Sequence, residues 1–269
     1  MASLPPIDVP KGATGAGVFD APAEPGREPA HHDYLLRLGD DALVLGQRLS
    51  EWCGHGPVLE VDISLANLAL DLVGQANLLL NDAGDGDLLA FHRDVLDFRN
   101  CLLVEQPNGD FAQTIARHFL YATWQHLLLQ RLTLSSDKFL SDFAHKAVKE
   151  VAYHRDLAAD WTIRLGDGTG ESSARMADGL DWCWRFVPEL FEVDDTLQKA
   201  IDQGIAPDPR DFEEEYRSSI EAVLATAQLP APTDQRPILG GRRGHHSEHL
   251  GHLLAIMQFL PRTYPDASW

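Results

Sequence analysis

Basic residues are scarce in this chain, with 22 Lys and Arg against 41 Asp and Glu in 269 residues, a formal charge of -19. Without a basic face, it is poorly suited to a phosphate backbone or an anionic bilayer. Nucleic-acid and membrane-surface roles are therefore set aside, and a basic or charge-mixed protein partner fits better. Cysteine is equally sparse. Cys53, Cys101 and Cys183 are odd in number, far apart and without a CxxC pair. That argues against a disulfide framework or a thiolate zinc site and leads to the expectation of a reducing, cytoplasmic compartment. Strand-like alternation is also missing. So is a basic stretch followed by an apolar run near Met1, hence the expectation of a soluble, unexported protein.

Hydrophobic residues make up 44% of the chain, enough for a sizeable core in one compact domain. Residues 1–30, rich in Pro, Gly, Ala and Glu, read as a flexible arm, and 31–269 as the folded domain. From Asp33, a plausible N-cap, Tyr34, Leu38, Ala42, Leu45 and Leu49 mark an amphipathic helix that ends near Cys53. Gly39 and Gly46 inside it imply a close helix neighbour. After Pro57, Asp62 can cap a second helix running to the breaker Asn81–Asp87. Asp110 opens a third helix reaching Leu134, and Ser136 or Asp137 a fourth reaching Leu165. Four long helices predict an all-α bundle. Further helices are expected at Ala174–Phe186, Asp211–Ala227 and His245–Leu260, the last closing over the bundle. Trp182 and Trp184 are expected in core or interface packing.

The second helix reads as the axis of the fold. Its apolar residues fall in two adjoining stripes, Ile63, Ala66, Leu70, Val73 and Leu80 beside Leu65, Leu68, Leu72, Ala76 and Leu79, an arc wide enough to predict burial on several sides. Asn67, Asp71 and Gln75 run along the same helix as a polar line. One reading is a buried structural network with Lys149, Glu150, Tyr153 or His154 from the fourth helix, and another is a substrate or metal role. In a four-helix bundle a di-metal carboxylate centre takes one carboxylate from each of two helices and a Glu-x-x-His pair from each of the other two. Where such pairs belong, this chain has Leu72 with Gln75 and Val151 with His154.

At these positions the sequence resembles the C-subunit family of the bacterial ring 1,2-phenylacetyl-CoA epoxidases. The likeness lies in the strings LRLGDDALVLGQRLSEWCGHGPVLEVD, LDLVGQAN, LLVEQPNGDFAQTIARHF, KEVAYH and HSEHLG, and covers the chain from about Tyr34 onward. It implies a ferritin-like four-helix bundle with additional C-terminal helices. It also implies a homologous catalytic partner, the epoxidase's A-type component, that carries the di-iron centre and binds the acyl-CoA, in a heterodimer or dimer of heterodimers. Further bridging and reductase components are implied, and this chain itself would be structural. Laid on this sequence, the family's ligand motifs fall on Ala42, on Leu72 and Gln75, on Phe119, and on Val151 and His154. Four carboxylates are missing, so no catalytic residue, metal or cofactor is expected in this chain. Asp41, Asp71 and Glu150 each lie one residue away, rotated by about 100° from the centre.

Two alternatives stay open. Asp41, Asp71, Glu150 and His154 could serve a self-sufficient di-metal oxygenase with a shifted ligand set. His245, Glu248 and His249 spell H-x-x-E-H, an inverted zinc-hydrolase pattern that His252 could extend, with helix-start packing or partner contact as the plainer reading. Arg242 and Arg243, in GGRR, could meet a CoA phosphate or a partner carboxylate.

Overall fold

The computed structural model describes residues 28–233, 235–265 and 267. They form eleven α-helices joined by loops and short 3-10 turns, with no strand among the described residues. The helices are α1 (Pro29–Ser50), α2 (Leu59–Ala83), α3 (Gly86–Phe91), α4 (Leu102–Glu105), α5 (Phe111–Leu132), α6 (Lys138–Gly166), α7 (Gly170–Trp184), α8 (Asp195–Asp202), α9 (Glu213–Thr226), α10 (Glu248–Met257) and α11 (Phe259–Thr263). The four long helices pair as α1 with α2 and α5 with α6, and α7 packs along α5. This is the all-α, ferritin-like bundle, with α10 and α11 among the later helices packed around it.

Several boundaries differ from expectation for local reasons. α1 starts at Pro29, whose fixed φ and missing N–H suit a first helical position, so residues 29 and 30 belong to the bundle. The remainder of the expected arm, 1–27, lies outside the described residues. Asp62 does not cap α2. It sits in the first turn and accepts the Gly56 N–H at 2.9 Å, while Val58 holds the N-cap position. Asp110 and Asp137 cap as expected, accepting the backbone N–H of Gln113 at 2.9 Å and of Leu140 at 2.8 Å.

The buried axis is α5 rather than α2, since 18 of the 22 residues of α5 are buried against 10 of the 25 in α2. Its sequence disguises this by burying Arg117, His118, Thr123, Gln125 and His126 beside the apolar residues. Arg117 is anchored by the Gln106 carbonyl and by Asn108 Oδ1, which accepts at 2.7 Å. In α2 the Leu65, Leu68, Leu72, Ala76 and Leu79 stripe is buried against the bundle, together with Leu80. Each large apolar side chain so covered contributes about 1.5 to 3 kcal/mol. The neighbouring Ile63, Leu70 and Val73 are exposed, which corrects the expectation of burial on several sides.

Candidate functional site

The positions where the resemblance places metal ligands come from all four long helices: Ala42 on α1, Leu72 and Gln75 on α2, Phe119 on α5, and Val151 and His154 on α6. All six are buried. Ala42, Leu72, Phe119 and Val151 belong to the same apolar core. Gln75 accepts from Gln125 Nε2 and donates to Glu150 Oε2, both at 3.1 Å. His154 Nε2 lies 3.2 Å from Asp71 Oδ2. Its ring centroid is 5.5 Å from that of His118 on α5, a buried imidazole that sequence reasoning missed. Burial holds both rings toward the neutral form. For His118 the nearby His154 and Arg117 reinforce that effect, and for His154 the hydrogen bond to Asp71 works against it.

The polar line of α2 divides at the surface. Gln75 is buried, but the Asp71 side chain is 40% exposed, and Asn67 and Lys149 are exposed and make none of these contacts. The expected network thus reduces to Asp71–His154 and Gln125–Gln75–Glu150. Asn67 falls outside it, exposed on α2 one turn before Asp71. Between α2 and α6 lies a cleft of about 150 Å³ lined by Leu70, Asp71, Gly74, Gln75, Phe143 and Glu150, among others.

This donor set does not suit a pair of iron ions. Dicationic iron needs several anionic oxygens, and Ala42, Leu72, Phe119 and Val151 supply none. Nor do the offset carboxylates converge, since among the described residues no three His, Cys, Asp or Glu side chains gather as a metal-holding group. Asp41 turns elsewhere. Its carboxylate accepts from the Cys101 N–H at 2.7 Å, from both terminal nitrogens of Arg242 at 3.0 and 2.7 Å, and from the Tyr121 hydroxyl at 3.2 Å. The shifted-ligand oxygenase therefore lacks its geometry. The H-x-x-E-H cluster fares no better, with His245, Glu248 and His252 exposed. The histidine that is anchored there is His246, whose Nδ1 lies 2.7 Å from Glu105 Oε2 and whose Nε2 lies 3.0 Å from the Phe98 carbonyl oxygen.

Arg242 is not offered to a ligand, because it is consumed by Asp41, and Arg243 pairs with Glu192 at 2.6 Å. Where a CoA phosphate or a partner's carboxylate was expected at GGRR, both arginines meet carboxylates of their own chain. Around Asp41 runs a belt of buried charge that the sequence did not reveal. Asp40 accepts from Arg93 Nη1 at 3.0 Å and from the Arg99 N–H at 2.8 Å. Glu189 accepts the N–H groups of Leu102 at 2.6 Å and Gly240 at 2.8 Å. Glu105 accepts the Ser247 N–H at 2.6 Å and Asn100 Nδ2 at 2.8 Å. The only available signal was the run of carboxylates Asp40 and Asp41 on a helix otherwise destined for the core. Of the two tryptophans, Trp182 is 38% exposed and edges Phe186, while Trp184 is partly buried against the core.

Residues 20–269 match the family described as phenylacetic acid catabolic protein. The chain is also 46% identical over 242 residues to the C subunit of 1,2-phenylacetyl-CoA epoxidase from Escherichia coli (strain K12), covering 88% of this chain and 98% of that protein. A bundle of this form, matched over nearly its whole length, belongs to the phenylacetic acid catabolic protein family.

Proposed function

We propose that this chain is the non-catalytic, structural subunit of a multicomponent phenylacetyl-CoA 1,2-epoxidase in the cytoplasm. It would support a homologous di-iron catalytic subunit as a heterodimer or a dimer of heterodimers, with bridging and reductase components completing the assembly. The observation that carries this reading is the replacement of ligand-position carboxylates by Ala42, Leu72, Phe119 and Val151, all buried in the apolar core. Iron bound there would lose its hydration shell and gain no anionic oxygen in return. The likeness to the C subunit of an epoxidase supplies the pathway and the kind of assembly.

Elemental analysis tests the proposal. Purified alone from iron-replete cells, the chain is expected to carry no stoichiometric iron and to turn over no acyl-CoA with a reductase present. In the complex with the homologous subunit, His154→Ala is expected to leave the iron content unchanged. Stoichiometric iron in the isolated chain that disappears in His154→Ala would overturn the reading.

A further inference from the structure

α2 carries a mid-helix glycine that nothing in its own chain requires. A Cβ on Gly39 would press into Leu80, and one on Gly46 would meet Val73 and the Ala69 carbonyl oxygen. The close approach of α1 to α2 therefore accounts for both. Gly74 is different, with nothing within 4 Å of the place its Cβ would take. A glycine in a helix interior weakens the helix relative to alanine, so an unconstrained one needs another use. Beside it, Leu59, Ile63, Leu70 and Val73 are 71, 52, 68 and 36% exposed on one face. Scattered exposed leucines are ordinary, whereas a contiguous row along one helix marks a contact surface. Gly74 and Leu70 also line the 150 Å³ cleft that contains Asp71, Gln75 and Glu150.

Charge narrows the occupant. α2 carries Glu60, Asp62, Asp71 and Asp82 and no Lys or Arg. The one cation lining the cleft, Lys146, stands 3.8 Å from Glu150 and leaves Asp71 facing His154. Two copies packed α2 on α2 about a two-fold axis would set these acids against each other.

We propose that this face receives a helix of a different chain, whose apolar ridge crosses α2 at Gly74 and whose central Lys or Arg enters the cleft toward Asp71 and Glu150. Helices approach to about 8 to 10 Å depending on the side chains between them, and the missing side chain at Gly74 permits the near end of that range. The assignment rests on the scaffold reading for the identity of that chain, the homologous subunit.

The test co-expresses the full chain with the homologous subunit and measures their association for the wild type, Leu70→Glu, Gly74→Trp and Gly74→Ala, with Ile256→Glu, at a residue 80% exposed on α10, as the control. Association should fall at least tenfold in Leu70→Glu and Gly74→Trp and stay unchanged in the control. Gly74→Ala should raise the melting midpoint of the isolated chain and yet weaken the complex, a combination that misfolding cannot produce. Equal binding by every variant would overturn the docking face and leave the scaffold reading standing. Failure of the wild type to bind would remove the scaffold reading and the docking assignment with it. An isolated wild-type dimer that Leu70→Glu dissolves would make a second copy the occupant and overturn the proposal.

Discussion

Asp41 is the residue on which most of the later chain depends. It is fully buried, and through it α1 holds the Cys101 backbone, Tyr121 of α5 and Arg242 of the Gly240–Gly244 turn. Burial disfavours the Arg242 cation, but Asp41, Cys101 and Glu189 together outweigh it and hold the guanidinium above the ordinary arginine pKa. Burial also pushes Asp41 itself up. Four N–H and O–H donors aimed at one carboxylate favour the ion pair. Asp41→Ala leaves Arg242 buried without a counter-charge, so a loss of about 3 to 5 kcal/mol is expected in urea melts. Replacing both residues, as Asp41→Leu with Arg242→Met, should cost less than Asp41→Ala alone. A double variant at least as unstable as the single one would show that the pair contributes more than the relief of its own desolvation. Asp71 behaves differently. With its side chain 40% exposed, its contact with His154 is worth about 0.2 to 1 kcal/mol, and Asp71→Ala should shift the urea midpoint only slightly.

At the level of helices, glycines report where elements touch. A Cβ on Gly179 of α7 would lie 2.9 Å from the Gln113 Cα of α5, and backbone cannot step aside as a side-chain end can. Gly179→Ala should therefore destabilise by about 1 to 3 kcal/mol, while Gly74→Ala should stabilise the isolated chain by about 0.4 to 1 kcal/mol. Thermal melts of the two variants should move in opposite directions, and a common direction would contradict this account of both contacts. The long helices were legible because their apolar residues repeat at helical spacing and Asp110 and Asp137 are strong caps. α3, α4 and α8 were not, since 6, 4 and 8 residues are too few for periodicity to stand out. Periodicity also fails to tell an apolar face that is covered from one left open, which is why α2 reads as the axis in sequence and α5 is the axis in space. The burial of Ala42, Leu72, Phe119 and Val151 was legible from their apolar spacing. The buried acids were not, because their partners lie far along the chain, Arg242 being 201 residues from Asp41.

For the whole molecule, the buried histidines of α5 and α6 take up a proton more readily once the bundle opens. His118, His126 and His154 all have pKa values lowered chiefly by burial. A histidine depressed in the folded state binds its proton more readily when unfolded. Its stabilising contribution is complete above the unfolded value of about 6.5 and is lost as pH falls from there through the folded value. His246 runs the other way. Burial alone would lower it, but Glu105 raises it above the ordinary value, so its contribution is complete below about 6.5 and fades as pH rises through the folded value. Three groups losing stability against one gaining it predict that the urea midpoint falls between pH 7 and pH 5. The steepest single contribution is expected from His118, which is fully buried with His154 and Arg117 beside it and has no carboxylate among the influences on its pKa. His118→Phe, which keeps the ring and removes the titration, should flatten that fall. An unaltered slope in His118→Phe would show that the acid sensitivity arises elsewhere, in His126 or His154, whose pKa values burial also lowers.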